Sequence, residues 1–200
     1  MIDAHLHFEG FSLGRQRIDA ETGTVEELLE KVEEKAQVLE KGGWILGFGW
    51  NHNAWGGILP HRAWLDRVAP EHPVFLRAKS GHAGWANSRG MEVAGIGGDA
   101  VDPEGGALVR DEQGALTGVF LEEAQSLVPR VIPEPSAAEV AAAMVAGQEE
   151  ALGQGLTGVH DLDDADIFAV PPMEIPAVRV LGTMVGGAWP HAADDFDSGG

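Results

Sequence analysis

Two histidines and an aspartate share one face at the start of the chain. Successive side chains of a strand point to opposite sides, so Asp3, His5 and His7 face one way and the apolar residues between them face the other. Neutral imidazole is the commonest protein ligand for zinc-like cations, and a nearby acceptor usually fixes its tautomer. The spacing favours His5 and His7 as metal ligands, although a solvated, frayed terminus would contain the same pair.

Composition limits what the chain can do. Its 200 residues, 44% of them hydrophobic, are enough for one folded domain or for a large piece of one. The absence of cysteine excludes disulfides and thiolate ligands, so any metal must be held by histidines and carboxylates. The net charge of −19 argues against a nucleic acid partner. No apolar run has the length of a membrane span and no signal-like leader opens the chain, so a cytoplasmic protein is expected.

Apolar runs of strand length alternate with helical patterns, which predicts βα units and a parallel sheet. The five candidate parallel strands are 1–6, 44–50, 73–78, 155–160 and 177–184. Residues 106–110 and 115–121 flank a polar turn, so a β-hairpin is expected after the third strand. Residues 80–88 are interpreted as a loop that runs into a helix, and 186–200 as a loose tail.

Two helix starts carry the capping-box sequence, in which a hydroxyl and a carboxylate satisfy free backbone amides. Thr24 is followed by Glu27, and Ser136 by Glu139. Apolar residues at helical spacing follow each box. Helices are therefore predicted from 25 to about 41 and from 137 to about 152.

Five segments of the chain form a recognisable pattern. They are 2–7 (Ile-Asp-Ala-His-Leu-His), 49–55 (Gly-Trp-Asn-His-Asn-Ala-Trp), 81–88 (Gly-His-Ala-Gly-Trp-Ala-Asn-Ser), 117–124 (Thr-Gly-Val-Phe-Leu-Glu-Glu-Ala) and 155–161 (Gly-Leu-Thr-Gly-Val-His-Asp). In this order they resemble the amidohydrolase superfamily, in particular the amidohydrolase-3 group that includes N-substituted formamide deformylase-like enzymes. The His-x-His element is shared across the superfamily, and the third and fourth segments together make the resemblance more specific.

The resemblance implies a metal-dependent hydrolase on a (β/α)₈ barrel, with its chemistry at the C-terminal ends of the strands. A divalent metal, with zinc the first candidate, would acidify a water and polarise the carbonyl of a small amide-type substrate, so that a non-peptide C–N bond is hydrolysed. His5 and His7 carry over as metal ligands, and Glu122 is a third candidate. Some relatives have a lysine where this chain has Leu121, so a single metal or a Glu-bridged pair is expected.

The resemblance also implies substrate-pocket positions. These are Trp50, Asn51, His52, His82, His160 and Asp161. Ordinary loop packing is the alternative for the first four, with His82 hydrogen-bonded to the backbone, and capping of the next helix is the alternative for the last two. Trp44, Trp64 and Phe75 are expected in the core, and His61, His72 and His191 are expected to be exposed.

The chain also departs from the family pattern. It offers about five of the barrel's eight strands, and the family's two later metal-binding histidines and catalytic aspartate have no counterpart, so no catalytic residue is assigned. Residues 1–185 are therefore expected to form an incomplete, partial TIM-type barrel of a truncated copy, with an insertion at about 96–125. A catalytically inactive remnant and a βα binding module are the alternatives. A homo-oligomer or a complementary C-terminal half is the expected protein partner.

Overall fold

The computed structural model describes residues 2–161, 182–185 and 188–192. Contacts divide the chain into two compact units, described separately below. The first unit comprises residues 1–16 and 135–200, and the second comprises residues 17–134. None of the helices in the described residues combines the length and apolar character needed to span a bilayer.

The strands and helices alternate irregularly along the chain. In order they are β1 (Ile2–Leu6), α1 (Phe8–Gly14), β2 (Ile18–Asp19), α2 (Val25–Val38), β3 (Ile45–Trp50), α3 (Arg62–Val68), β4 (Val74–Ala78), β5 (Ala83–Ala86), α4 (Ser88–Val93), β6 (Gly106–Arg110), β7 (Leu116–Glu122), α5 (Ala137–Gly153), β8 (Gly158–Asp161), β9 (Gly182–Val185) and β10 (Ala188–Ala192). Short 3-10 helices lie at His52–Trp55, Glu123–Leu127 and Pro129–Val131.

In the first unit, β1 and β8 pair in parallel, with Leu6 opposite Asp161. α1 packs against α5 at a point where Gly147 leaves room for the Ser12 hydroxyl, because a Cβ at this glycine would lie 2.3 Å from Ser12 Oγ. The capping box predicted at Ser136 is present and starts α5. The described part of this unit therefore includes two neighbouring parallel strands, with a helix pair between them in sequence, and the antiparallel pair of β9 and β10.

The second unit is built on one six-stranded sheet in the order β2-β3-β4-β5-β7-β6. β2, β3 and β4 are parallel, whereas the remaining neighbours are antiparallel. Alternating side chains of the strands enter two apolar clusters: Val74 and Leu76 join α2 and α3 in one, and Phe75 joins α4 in the other. Both faces of the sheet are therefore buried, which explains the nearly continuous apolar character of β3 and β4.

Part of the sheet was predicted. The parallel pairing of the strands near 44–50 and 73–78 is confirmed, as is the hairpin formed by β6 and β7. The loop interpretation of residues 80–88 is wrong, because residues 83–86 form β5, antiparallel to β4. This pairing depends on Gly84, where a Cβ would lie 2.5 Å from the Phe75 ring.

The single series of five parallel strands is also wrong for the described residues. β1 pairs with β8 rather than with β3, and the neighbours that follow β4 in its sheet are antiparallel. Of the strand expected at 177–184, residues 182–184 belong to β9 and 177–181 lie outside the described residues. β10 lies within the segment expected to be a loose tail, and it pairs antiparallel with β9.

Gly118 in β7 is expected to tolerate no side chain. Its φ is +87°, and a Cβ there would lie 2.3 Å from the Ala86 carbonyl oxygen. Gly118→Ala should lower the free energy of unfolding by about 3 kcal/mol, from the left-handed backbone together with the clash. Gly114→Ala is the matched control, since its φ is +80° but no atom lies within 4 Å. Urea denaturation measures both variants, and equal losses would show that the close approach is unimportant.

Candidate metal centre

The His-x-His element occupies the carboxyl end of β1. The imidazole rings of His5 and His7 lie with their centroids 5.3 Å apart and their planes at 69°, and both side chains are exposed. The Asp3 carboxylate accepts a hydrogen bond from the backbone N–H of His5 at 3.0 Å. His5 lies in β1 and His7 follows the strand as the N-cap residue of α1, so the end of the strand and the start of the helix together set the spacing of the two rings.

The spacing of the two rings fits joint ligation of one cation. Zinc–nitrogen bonds of about 2.0–2.1 Å at a tetrahedral angle would place two imidazole centroids roughly 5 Å apart. The observed separation is 5.3 Å. Among the described residues, no group of three or more His, Asp or Glu side chains is placed to hold a metal ion. The described part of the chain thus provides a histidine pair that suits part of a coordination sphere.

The end of β8 lies beside the end of β1. Leu6 pairs with Asp161, and parallel strands present their carboxyl ends at the same edge. The backbones of His160 and Asp161 therefore share that edge with His5 and His7. The side chains of His160 and Asp161 lie outside the described residues.

Glu122 and His82 form a pair in the second unit. Glu122 Oε2 lies 2.9 Å from His82 Nδ1, and the Glu122 backbone N–H donates to the His82 carbonyl oxygen at 2.9 Å. Both side chains are more than half exposed, so the pair adds little to stability. Loop packing, the alternative considered from the sequence, predicted a hydrogen bond from the His82 ring to the backbone. The ring contacts a carboxylate instead. Sequence reasoning missed this pair because it depends on the antiparallel register that sets Ala83 opposite Leu121.

Glu122 also has an unusual backbone conformation. Its φ is +49°, and it is the single non-glycine residue with a positive φ in the part of the chain that is described. Such a conformation costs roughly 1–3 kcal/mol and persists where the surroundings enforce it. Here the two contacts with His82 and the pairing of Glu122 with Gly106 hold it in place.

The residues at the end of β3 and just after it occupy three different environments. Trp50 is 1% exposed and donates from Nε1 to the Leu76 carbonyl oxygen at 2.9 Å. The Asn51 side chain caps the next 3-10 helix by accepting from the Asn53 N–H at 3.1 Å. The half-buried His52 ring lies 6.1 Å from the Trp50 ring, centroid to centroid. A core contact and a helix cap therefore account for Trp50 and Asn51.

Two other histidines have structural contacts. His72 was expected to be exposed, but it is 5% exposed and its Nδ1 lies 3.1 Å from the Gly43 carbonyl oxygen, where the chain turns into β3. That expectation is therefore wrong. His61 is half-buried and caps α3, accepting at Nδ1 from the Ala63 N–H. His191 lies in β10, and its side chain is outside the described residues.

The expected core aromatic residues lie in the second unit. Phe75 is 3% exposed in one apolar cluster, Trp44 packs against that cluster, and Trp64 packs against the other.

Comparison with known proteins identifies relatives along most of the chain. The model of the amidohydrolase family matches residues 1–168. Putative amidohydrolase YtcJ of Bacillus subtilis is 31% identical over 193 residues, which cover 94% of this chain and 36% of that protein. Protein LONG AFTER FAR-RED 3 of Arabidopsis thaliana is 34% identical over 81% of this chain and 28% of its own length. N-substituted formamide deformylase of Arthrobacter pascens is 36% identical over 64% of this chain and 24% of its own length.

Solved structures give the same assignment. An uncharacterized metal-dependent hydrolase from Pyrococcus furiosus is 25% identical, with a TM-score of 0.57 over 80% of this chain and 31% of that structure. The chain thus spans between about a quarter and a third of the length of these relatives. The family match across residues 1–168 includes all five segments whose sequences resemble this family. The chain belongs to the amidohydrolase family.

Proposed function

We propose that this chain takes part in the metal-dependent hydrolysis of non-peptide C–N bonds, with a small amide or formamide as substrate. Family membership and the metal-dependent hydrolases among the structural neighbours support the metal chemistry. The formamide class follows from the relative named N-substituted formamide deformylase. The single observation that carries the proposal is the 5.3 Å spacing of the His5 and His7 rings at the end of a strand.

In this proposal His5 and His7 hold the cation. Zinc is the first candidate, because imidazole is a preferred zinc ligand and the chain has no thiolate to offer. When bound, such a cation supplies an acidified water and a polarised carbonyl. The exposure of both rings leaves room for a substrate, and the Asp3 carboxylate holds the backbone at His5 by accepting from its N–H.

The proposal places β1 and β8 as neighbouring strands of a partial (β/α) barrel. Their parallel pairing, with α5 preceding β8 along the chain, supports this assignment. Residues 17–134 then form an insertion between two barrel strands in sequence, larger than the expected insertion at about 96–125. His160 and Asp161 at the end of β8 remain predicted pocket residues, and Glu122 remains a metal ligand predicted from the sequence alone.

Hydrolysis of a panel of N-formyl and N-acyl amines tests the proposal. The chain reconstituted with zinc should release amine from at least one member of the panel, and chelation should abolish the release. His5→Ala should remove the activity, whereas His61→Asn should keep it, because asparagine preserves the cap of α3. Equal activity in the His5→Ala variant would contradict the proposal. Metal retention without any turnover would instead favour a non-catalytic metal-binding role.

A further inference from the structure

An open groove of about 640 Å³ lies in the second unit, at one edge of its sheet. It is lined by the start of α2, the helix that follows β2, by residues after β3 that include Trp55 and Ile58, and by residues of α3. β2 and β3 are parallel neighbours, so their carboxyl ends lie at the same edge. Open α/β sheets bind ligands in the crevice outside such ends, and the volume is that of a small-molecule site.

The apolar wall of this groove is held rigidly. Trp55 stacks on the buried Trp50 at 6.2 Å between ring centroids, and Trp64 meets the buried Trp85 edge-on at 6.1 Å. The Trp55 Nε1 donates to the Thr22 carbonyl oxygen at 3.2 Å. The two half-buried tryptophans are thus set before any ligand arrives, and such preorganisation lowers the entropic cost of binding.

Two aliphatic side chains extend the tryptophan wall. Ile58 is 66% exposed, whereas Leu29 of α2, which also lines the groove, is 5% exposed. A side chain as apolar as Ile58 gains from being covered by a ligand, by about 25 cal/mol for each Å² removed from water. The groove therefore favours a ligand with an apolar or aromatic body.

The groove is lined by one acidic and one basic side chain. Glu26 stands in the first turn of α2, and Arg67 in the last turn of α3. Both are exposed, and neither has an ion-pair partner in the described part of the chain. A ligand with a single charge would meet one attractive and one repulsive group, whereas a ligand with both charges can satisfy both.

We propose that this groove binds a small zwitterion with an apolar side group, the chemistry of a free hydrophobic amino acid. Its carboxylate is recognised by Arg67, its ammonium group by Glu26, and its side group by Trp55, Trp64 and Ile58. None of these residues belongs to the His-x-His element, and the proposal does not depend on a bound metal or on hydrolysis.

Four matched probes test the ligand class. L-phenylalanine carries both charges, phenylacetate the negative charge, phenethylamine the positive charge and 2-phenylethanol neither. Tryptophan fluorescence, excited where the probes do not absorb, reports on Trp55 and Trp64 in the whole chain. L-phenylalanine should bind about threefold to tenfold more tightly than either singly charged probe, the range expected for exposed charge contacts.

Single substitutions test which groove residue recognises which charge of the ligand. Arg67→Gln should weaken the binding of L-phenylalanine and of phenylacetate by about threefold to tenfold, and the binding of phenethylamine should be unchanged or tighter. Glu26→Gln should weaken the binding of L-phenylalanine and of phenethylamine and should spare that of phenylacetate. Ile58→Ser should weaken the binding of all four probes. Arg77→Gln and Val38→Ser are the controls, since both positions are exposed and do not line the groove, and they should leave binding unchanged.

Three results would overturn the proposal. The first is the absence of any fluorescence change with all four probes at millimolar concentration. The second is equal binding of 2-phenylethanol and L-phenylalanine, which would remove the charged groups from recognition. The third is concentration-dependent sedimentation that Ile58→Ser abolishes, which would assign the groove to a second copy of the chain.

Discussion

Replacing His5 and His7 together with alanine is expected to reduce the zinc retained by the purified chain by at least about tenfold. The two rings stand 5.3 Å apart at the end of β1, a spacing that suits two ligands of one cation. No group of described side chains brings three metal-binding residues together, so the loss should not be compensated by another described site. Elemental analysis after exhaustive dialysis gives the metal content directly.

The single variants and the controls make the result specific. His5→Ala and His7→Ala should each lose most of the metal, because one imidazole alone is a weak zinc ligand. His61→Asn should retain it, since His61 caps α3 and has no metal role in the proposal. Glu122→Gln tests the third predicted ligand, and a loss comparable to that of His5→Ala would support it. Full zinc retention in the double alanine variant would exclude the His-x-His pair as the metal site.

Local patterns predicted the elements that depend on local physics. The capping box at Thr24 and the apolar periodicity that follows it predicted α2, and the Thr24 side chain does accept from the Glu27 N–H. β6 and β7 were predicted because a polar turn separates two apolar runs. In each case the partners lie close in sequence, so the interaction that forms the element is visible in a short window of residues.

Non-local pairing was the part that the sequence could not reveal. β1 pairs with β8 across more than 150 residues, and no feature of the intervening chain states which strand will be its neighbour. β5 was missed because its four residues also fit a loop, and its antiparallel pairing depends on a glycine that faces the Phe75 ring. The contact of His82 with Glu122 follows from that pairing and was missed with it.

His72 shows the same limit for a single side chain. The residues around it show no motif. Its side chain is buried and contacts the carbonyl oxygen of Gly43, a residue 29 positions away in sequence. Asn87, which was part of a family-like segment, has a comparable structural explanation. It is fully buried and its side chain binds four backbone groups, three within residues 69–74 and one at Gly90.

Asn87→Ala is expected to lower the free energy of unfolding by about 4 kcal/mol or more, a large fraction of the roughly 5–15 kcal/mol that stabilises an ordinary domain. The Asn87 Oδ1 accepts from the Val74 N–H at 3.0 Å and from the Gly90 N–H at 2.8 Å. Its Nδ2 donates to the carbonyl oxygens of Ala69 at 3.1 Å and His72 at 2.8 Å. The alanine variant leaves all four backbone groups without this partner, at roughly 1–3 kcal/mol for each that stays buried and unsatisfied.

Two further variants separate this network from a general effect of losing an amide side chain. Asn87→Asp keeps the two accepting contacts but sets a carboxylate oxygen against two carbonyl oxygens, so it should destabilise the chain as much as Asn87→Ala does. Asn53→Ala, at an exposed position, should change the free energy of unfolding by less than about 0.5 kcal/mol. Urea denaturation followed by tryptophan fluorescence measures all three. A stable Asn87→Asp variant would mean that the two accepted bonds alone hold β4 to the start of α4, and the role assigned to the donated bonds would be wrong.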